Sequence, residues 1–202
     1  MEHKLQVKDD HYNFKYERKL KRWISYFYQI KKIINHSKKK SKILEIGIGS
    51  KFVYNRLKEM GYNITSADFD ERLNPDVVAD ITDLPFEDNE FDLVCAFEVL
   101  EHLPFSEFEV ALNEMKRVSK KHVLFSVPYS AFKFHLSFKF LPFFPIKTFE
   151  IHIPYLIKHK FNGEHYWEAG KKNYPVKKIK RNINCSEKTL FFPYSSQFFL
   201  PL

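Results

Sequence analysis

Cysteine and long apolar runs are scarce in this sequence, and their scarcity excludes several classes of protein. Only two cysteines occur among 202 residues, too few for a disulfide scaffold and typical of reduced thiols in a cytoplasmic protein. No run of about 18 apolar residues exists, so no transmembrane helix is predicted. The charged N-terminal stretch lacks the apolar centre of a signal peptide. The sequence therefore predicts a cytoplasmic protein.

Metal-binding motifs, repeats and linkers are also missing from the sequence. No cluster of cysteine and histidine has the spacing of a metal-binding motif, so no metal is expected. No internal repeat and no linker rich in serine and glycine divides the chain. A chain of this length forms one domain of ordinary size, and 17% aromatic residues supply large side chains for its core.

The net charge of +8 is distributed unevenly along the chain. Between Asp68 and Glu114 there are 15 acids and one base, whereas both ends of the chain are rich in lysine and arginine. Basic ends attract nucleic acid, anionic lipid head groups or phosphorylated substrates. An ordinary solvated surface explains the same pattern, and we favour that interpretation over a specific site for a polyanion.

The segment 42–70 carries the pattern of a nucleoside-binding unit. An apolar run leads into the glycine pair Gly47 and Gly49, a helical segment follows, and a second apolar run ends at Asp68. Glycines let the backbone approach a ligand, and a carboxylate about 20 residues later accepts hydrogen bonds from ribose hydroxyls. Phe52 stands where a dinucleotide-binding motif has its third glycine. The pattern thus disfavours NAD or FAD and favours a nucleoside without phosphates.

Four motifs along residues 42–128 resemble one enzyme family. They are E-I-G-I-G, the acid at Asp68, the stretch D-I-T-D-L-P-F followed by F-D-L-V, and E-V-L-E-H-L. They occur in the order found in class I S-adenosylmethionine-dependent methyltransferases. The sequence resembles the methyltransferase-domain type 11 family of that class. The combination is specific, whereas each motif alone is common.

The resemblance implies an α/β fold, namely a Rossmann-like three-layer α/β/α methyltransferase fold. Its sheet is expected to be mostly parallel and seven-stranded, with an antiparallel C-terminal strand. The alternation of strands and helices along the chain independently predicts a parallel sheet. We expect a single domain over 1–202. Its parts are a helical cover over 1–41, the cofactor-binding core over 42–128, a substrate-cover insertion over 129–175 and a C-terminal strand pair over 176–202.

Local patterns predict two amphipathic helices and the C-terminal strands. Apolar residues at helical spacing from Tyr16 to Ile34, including Trp23 and Phe27, predict a stripe that packs on the sheet. A second helix over about 106–118 is expected to bury Val110, Leu112, Met115 and Val118. The segments predicted as C-terminal strands are 177–184 and 189–199.

The resemblance implies S-adenosyl-L-methionine as the cofactor and assigns residues to hold it. The glycine turn backs the methionine moiety, and Asp68 binds the ribose hydroxyls, with Asp70 as the alternative. Asp80 accepts a hydrogen bond from the adenine amino group, and Ile81 lies beside the ring. Many members have a glycine where this sequence has Lys51, which affects the pose of the methionine tail. The residues assigned to the cofactor are Glu45, Gly47, Gly49, Asp68, Asp80, Ile81 and Phe97.

Two histidines are candidates for a catalytic base. Methyl transfer from a sulfonium is an in-line displacement that needs a base only when the acceptor is a hydroxyl or a protonated amine. Histidine titrates near neutral pH, and His102 follows the fourth predicted strand, so His102 is the first candidate. His165 is the second. A structural or substrate-orienting role for His102 is the alternative.

The segment 129–175 lies outside the cofactor motifs and is the candidate substrate-binding region. From Phe132 to Phe140 apolar and polar residues alternate, which predicts a half-buried strand. Three roles stay open: a lid over an apolar or aromatic substrate, plain core or a dimer surface, and peripheral contact with a membrane through 131–145. The candidate substrate residues are Phe138, Tyr166 and Trp167, although packing against the sheet also explains the last two.

The sequence therefore predicts an S-adenosylmethionine-dependent methyltransferase that acts on an oxygen or nitrogen of a small molecule, sugar or lipid precursor. An RNA methyltransferase is the alternative, motivated by the basic ends. It is less favoured because the sequence has neither an appended RNA-binding module nor the N/D-P-P-Y/F motif. A non-catalytic nucleoside-binding module is the third hypothesis, because a fold does not fix a function. The oligomeric state is not predicted.

Overall fold

The computed structural model describes residues 19–138, 147–154, 156–183, 190–192 and 195–201. The helices within these ranges are α1 (Leu20–His36), α2 (Phe52–Glu59), α3 (Phe108–Val118) and α4 (Val176–Ile183). The strands are β1 (Lys42–Ile46), β2 (Asn63–Asp68), β3 (Val77–Val78), β4 (Phe91–Phe97), β5 (Ser119–Val127), β6 (Ala131–Phe138), β7 (Lys147–Pro154), β8 (Leu190–Phe192) and β9 (Ser195–Pro201). Two short 3-10 turns cover Glu71–Leu73 and Leu100–His102.

The main sheet has the strand order β3-β2-β1-β4-β5-β9-β8. The first five strands are parallel, whereas β9 runs antiparallel to both β5 and β8. This confirms the predicted α/β class with a mostly parallel sheet. In open parallel sheets ligands bind beyond the carboxyl ends of the strands. The glycine pair follows β1 at that edge.

Helices cover both faces of the sheet, which gives the three layers. Val94 and Cys95 are neighbours in β4 and are both fully buried, but they belong to separate core clusters. Val94 packs in the cluster that contains Phe108 of α3, and Cys95 packs in the cluster that contains Ile33 of α1 and Leu57 of α2. A strand buried on both faces has a nearly continuous apolar sequence, as β4 does.

Helix α1 packs on the sheet with only part of the predicted stripe. Ile30 and Ile34 of the stripe pack against the core, whereas Trp23 and Phe27 are 50% and 59% exposed. The buried face includes polar Gln29, which an apolar stripe does not reveal. Tyr16, at the start of the predicted stripe, lies outside the described residues.

Two other predictions were corrected by the structure. Leu112, Met115 and Val118 of α3 are buried as predicted, but Val110 is 50% exposed and Phe108 is buried instead. The strand predicted over 177–184 is helix α4, whose Ile179 is fully buried. Pro175 precedes that helix, and proline fits the first turn because it needs no backbone donor there. The antiparallel pair is formed by β8 and β9, both of which follow α4.

Strands β6 and β7 form a separate two-stranded antiparallel sheet, which confirms the predicted extended segment over Ala131–Phe138. Phe132 pairs with Ile153 and Phe134 pairs with Ile151, which gives the hairpin one apolar face. The side chains on this face are about half exposed. The side chain of Phe138 lies outside the described residues. In the described part of the chain, no helix is both long and apolar enough to cross a membrane.

Candidate functional site

A pocket of about 370 Å³ lies at the carboxyl ends of β1 and β4. This volume is within the range of small-molecule sites. Its walls come from α1, the glycine turn after β1, the start of α2, the end of β4 with the following 3-10 turn, and residues 164–165. The pocket therefore occupies the edge of the sheet where the sequence places the cofactor.

Gly47 brings the turn after β1 close to the segment after β4. Its φ of +76° is a left-handed conformation that favours glycine. A Cβ atom at this position would overlap the Cγ2 atom of Val99. The backbone amide of Gly47 donates to the carbonyl oxygen of Ala67 at 2.9 Å, which fixes the turn against β2. Only a glycine fits this contact without a shift of its neighbours.

Lys51 occupies the position where many methyltransferases have another glycine. It adopts φ +60° at the residue before α2. A left-handed conformation costs an L-residue about 1–2 kcal/mol. The Lys51 Nζ atom donates to the carbonyl oxygen of Asn74 at 2.6 Å, which offsets part of that cost. The turn thus keeps its backbone path without the glycine.

Asp68 holds the glycine turn in place. Its carboxylate accepts from the amide of Ile48 at 2.9 Å and from the amide of Asp70 at 3.0 Å. Burial raises the pKa of this carboxyl group. A carboxylate has about four acceptor positions, so ribose binding by Asp68 stays a prediction beside this structural role. The Asp70 carboxylate is paired with both Nε and Nη2 of Arg72, each at 2.8 Å.

The residues assigned to adenine lie outside this pocket. Asp80 accepts from the backbone amide of Thr82 at 2.8 Å and from its hydroxyl at 2.7 Å, and Ile81 is buried. Their roles stay predictions, as does that of Asp68, which adjoins the pocket through Ile48. The assigned residues that line the pocket are Glu45, Gly47, Gly49 and Phe97.

Glu45 is a buried carboxyl group at the floor of the pocket. It is 5% exposed, and its Oε2 atom has no hydrogen-bond partner among the described residues. Burial raises the pKa of Glu45 to about 8. A buried acceptor without a partner is costly, so the site favours a ligand that brings a cation or a hydrogen-bond donor.

Glu101 is a second buried carboxyl group in the same pocket, and no role was predicted for it from sequence. It is fully buried, and neither of its oxygens has a hydrogen-bond partner in the described part of the chain. Burial raises its pKa well above the usual range, and the charge of Glu98 adds to that effect. The nearby Arg22 opposes it.

The two candidate bases meet across the pocket. The rings of His102 and His165 lie edge to face with their centroids 5.1 Å apart. His102 Nδ1 donates to the carbonyl oxygen of Glu164 at 2.9 Å, and the amide of Tyr166 donates to the carbonyl oxygen of Glu101 at 2.9 Å. These two hydrogen bonds, one from a side chain and one from the backbone, connect the loop around residue 165 to the turn after β4.

Glu168 orients His165 from behind. Its carboxylate lies 3.4 Å from His165 Nδ1 and also accepts from the hydroxyl of Ser130. The hydrogen bond from His165 is the main reason that the pKa of Glu168 falls to about 2. An ionised carboxylate only accepts, so Nδ1 of His165 carries a proton.

The structure separates the predicted substrate residues. Trp167 is fully buried between Phe105 and Phe108, with ring centroids at 5.2 and 5.3 Å, which agrees with the alternative interpretation that it packs in the core. Tyr166 is 37% exposed, packs on Phe161 at 4.6 Å and does not line the pocket. The described residues of β6 and β7 do not line it either. A lid role for that hairpin stays a prediction.

Three potential metal ligands cluster at the mouth of the pocket. Glu101, His102 and His165 each offer one ligand atom, and these atoms all lie within 4.8 Å of one another. Sequence spacing missed this group because His165 is far from the other two in the chain. The fold alone brings them together.

Comparison with known proteins agrees with the fold and with the glycine turn. Residues 44–127 match the model of the methyltransferase domain family. The PH0226 protein from Pyrococcus horikoshii is similar in structure, with a TM-score of 0.58, 14% identity and 94% of each chain covered. A search of curated protein sequences finds no match.

A second similar structure is the 1,6-didemethyltoxoflavin-N1-methyltransferase of Burkholderia thailandensis, solved with 1,6-didemethyltoxoflavin and S-adenosylhomocysteine. The TM-score is 0.58 at 11% identity, over 88% of this chain and 77% of that one. The fold and the motifs at this pocket are similar to those of class I methyltransferases. Residues 44–127 of the chain are thus similar to the methyltransferase domain family.

Proposed function

We propose that this chain is an S-adenosyl-L-methionine-dependent methyltransferase that acts on an oxygen or nitrogen of a small molecule. The observation that carries the proposal is the buried Glu45 carboxyl group beside the glycine turn, with one oxygen unsatisfied. The cofactor has a cationic amino group and a sulfonium, and either suits such a carboxylate. When bound, it supplies an activated methyl group.

The chain's own residues divide the work of holding this cofactor. We propose that Glu45 and the turn with Gly47 and Gly49 receive the methionine part. By resemblance, Asp68 receives the ribose and Asp80 the adenine.

Helix α1 shields the pocket from solvent on one side. The hydroxyl groups of Tyr26 and Ser50 form a hydrogen bond of 3.0 Å, and the Tyr26 ring stacks on Phe52 with centroids 4.4 Å apart. Methyl transfer depends on alignment of donor and acceptor and on the exclusion of water. These contacts fix α1 where it contributes to both.

His102 is the proposed base for an acceptor that must lose a proton. The carbonyl oxygen of Glu164 only accepts, so Nδ1 of His102 carries the proton of the neutral ring and Nε2 carries the lone pair. That lone pair can take a proton from a hydroxyl or an ammonium group. His165, held by Glu168, is the second candidate.

Calorimetric titration with S-adenosylhomocysteine tests the proposal. We expect the wild-type chain to bind and Glu45→Gln to bind about ten- to a hundredfold more weakly, because a hydrogen bond to a charged group is lost. Glu59→Gln is the matched control, since Glu59 lies on the exposed surface of α2. Absence of binding by the wild type would contradict the proposal that S-adenosyl-L-methionine is the cofactor. Unchanged affinity in Glu45→Gln would contradict the role of Glu45.

A further inference from the structure

We propose that Glu101, His102 and His165 form a binding site for a divalent transition-metal ion at the acceptor end of the pocket. One carboxylate and two imidazoles lie within 4.8 Å of one another, which is close enough for a single ion to bind all three. Neither the domain match nor the sequence spacing indicates a metal here.

The surroundings of Glu101 are the strongest support. Its side chain is fully buried and faces the pocket, yet neither oxygen forms a hydrogen bond within the described residues. A buried carboxylate without partners is strongly unfavourable, and buried charges in proteins are paired or coordinate metals. Arg22 lies near enough to affect Glu101 electrostatically but forms no hydrogen bond to it. A bound cation would satisfy both oxygens.

Each imidazole has an Nδ1 contact of the kind that metal-binding histidines make. Metal-binding histidines usually donate the proton of the second ring nitrogen to a carbonyl or carboxylate, which fixes the tautomer. His102 Nδ1 donates to the Glu164 carbonyl at 2.9 Å, and His165 Nδ1 lies 3.4 Å from the Glu168 carboxylate. In the neutral rings the lone pairs are therefore on the Nε2 atoms.

The ligands are held together before an ion arrives. Glu101 and His102 belong to one 3-10 turn, and the amide of Tyr166 donates to the carbonyl oxygen of Glu101 at 2.9 Å. That bond fixes the neighbour of His165 to the same turn. A site whose ligands are already positioned loses little conformational entropy on binding.

The ligand set indicates the type of ion and its use. Imidazole with carboxylate suits zinc, iron or manganese better than calcium. Three protein ligands leave coordination positions open for water or for an acceptor. If the proposed function holds, an acceptor hydroxyl on the ion would release its proton to solvent more readily. His102 would then act as a ligand instead of as the base.

Electron paramagnetic resonance with Mn²⁺ tests the site on the full chain without a histidine tag. The signal of aqueous Mn²⁺ should fall until one ion is bound per chain. Glu101→Gln and His165→Asn should each weaken binding at least about tenfold, because each removes a ligand. His36→Asn is the matched control, since His36 lies at the end of α1 outside the pocket.

The possible outcomes separate this proposal from the proposed function. No loss of the Mn²⁺ signal with the wild type, or binding by both ligand variants that equals wild-type binding, would overturn the metal site. If Glu101→Gln fails to fold, His165→Asn still tests the proposal. The His165 side chain is 22% exposed in a loop, so its replacement should leave the fold intact. A chain that binds S-adenosylhomocysteine but no Mn²⁺ overturns the metal site alone. A chain that binds Mn²⁺ but no S-adenosylhomocysteine overturns the proposed function alone.

Discussion

Glu45 and Glu101 are both buried carboxyl groups in one pocket, but their neighbours differ. Glu45 leaves one oxygen without a partner and lies beside a backbone turn. Glu101 leaves both oxygens without a partner and lies beside two imidazoles. The first environment suits an organic cation and the second suits a metal ion. The same residue type thus acquires two different chemistries from its surroundings.

The two groups also differ in how the chain assembles them. Glu45 lies within a few residues of the glycine turn, so one short motif supplies this part of the pocket, which we call the first wall. Glu101 depends on a loop whose anchor, Glu164, is 62 residues from His102 in sequence. The first wall is local in sequence. The second wall, formed by Glu101, His102 and the loop around residue 165, is made by the tertiary fold. Each of the following predictions tests that contrast.

Gly47→Ala should give the largest effect, because Gly47 is where the two walls touch. We expect a loss of about 2–5 kcal/mol in the free energy of unfolding, from left-handed strain and from overlap with Val99. Urea denaturation measures this loss. Gly163→Ala is the control: Gly163 has φ +98° but no atom within 4 Å of an added Cβ. Equal losses in the two variants would show that the walls do not touch as described.

Glu45→Gln should change how stability depends on pH. The folded-state pKa of about 8 lies above the ordinary 4.5, so the folded protein holds an extra proton between these values. The contribution of Glu45 is therefore fully present below pH 4.5 and is lost as pH rises through about 8. The slope is at most about 1.4 kcal/mol per pH unit.

Denaturation of the ligand-free protein at several pH values checks this prediction. The wild-type curve minus the Glu45→Gln curve should fall from acidic to mildly alkaline pH. Glu101→Gln provides the comparison, because the pKa of Glu101 is also raised. A flat difference curve for Glu45→Gln would mean that water or a cation already satisfies this wall.

Lys51→Gly should give the smallest effect and concerns the local wall alone. Glycine removes the left-handed strain but also removes the bond to Asn74, so we expect a gain of at most about 1 kcal/mol in unfolding free energy. Lys51→Ala keeps the strain, loses the bond and should be slightly less stable than the wild type. If Lys51→Gly is the less stable of the two variants, strain at this position is not significant.

Local sequence patterns were sufficient to predict the central strands and the residues of the first wall. The fourth predicted strand, which begins with the motif F-D-L-V, is β4 (Phe91–Phe97). Glu45, Gly47 and Gly49 line the pocket because they belong to one motif that folds from its own neighbours, and Phe97 joins them from the end of β4. Asp68 was assigned to a ligand, and the structure adds a bond to the turn that a motif cannot show.

Patterns failed wherever a distant contact decides the outcome. Trp23 and Phe27 were predicted to pack on the sheet but are exposed. Polar Gln29 is buried in α1 instead, because it lines a pocket that only the fold creates. Trp167 looks like a substrate contact in sequence but fills the core beside Phe108. The group around Glu101 has no spacing signal, since its partners come from two distant segments. Long-range pairing of this kind is invisible in a local window.

The contacts that fasten the second wall use main-chain atoms at its far side. Glu164 accepts through its carbonyl, and Tyr166 donates through its amide. Most residues can replace Glu164 without loss of that acceptor, and any residue except proline can replace Tyr166 as the donor. Evolution can therefore vary the side chains at these two positions, and with them the chemistry presented at the surface, while the site's architecture stays unchanged.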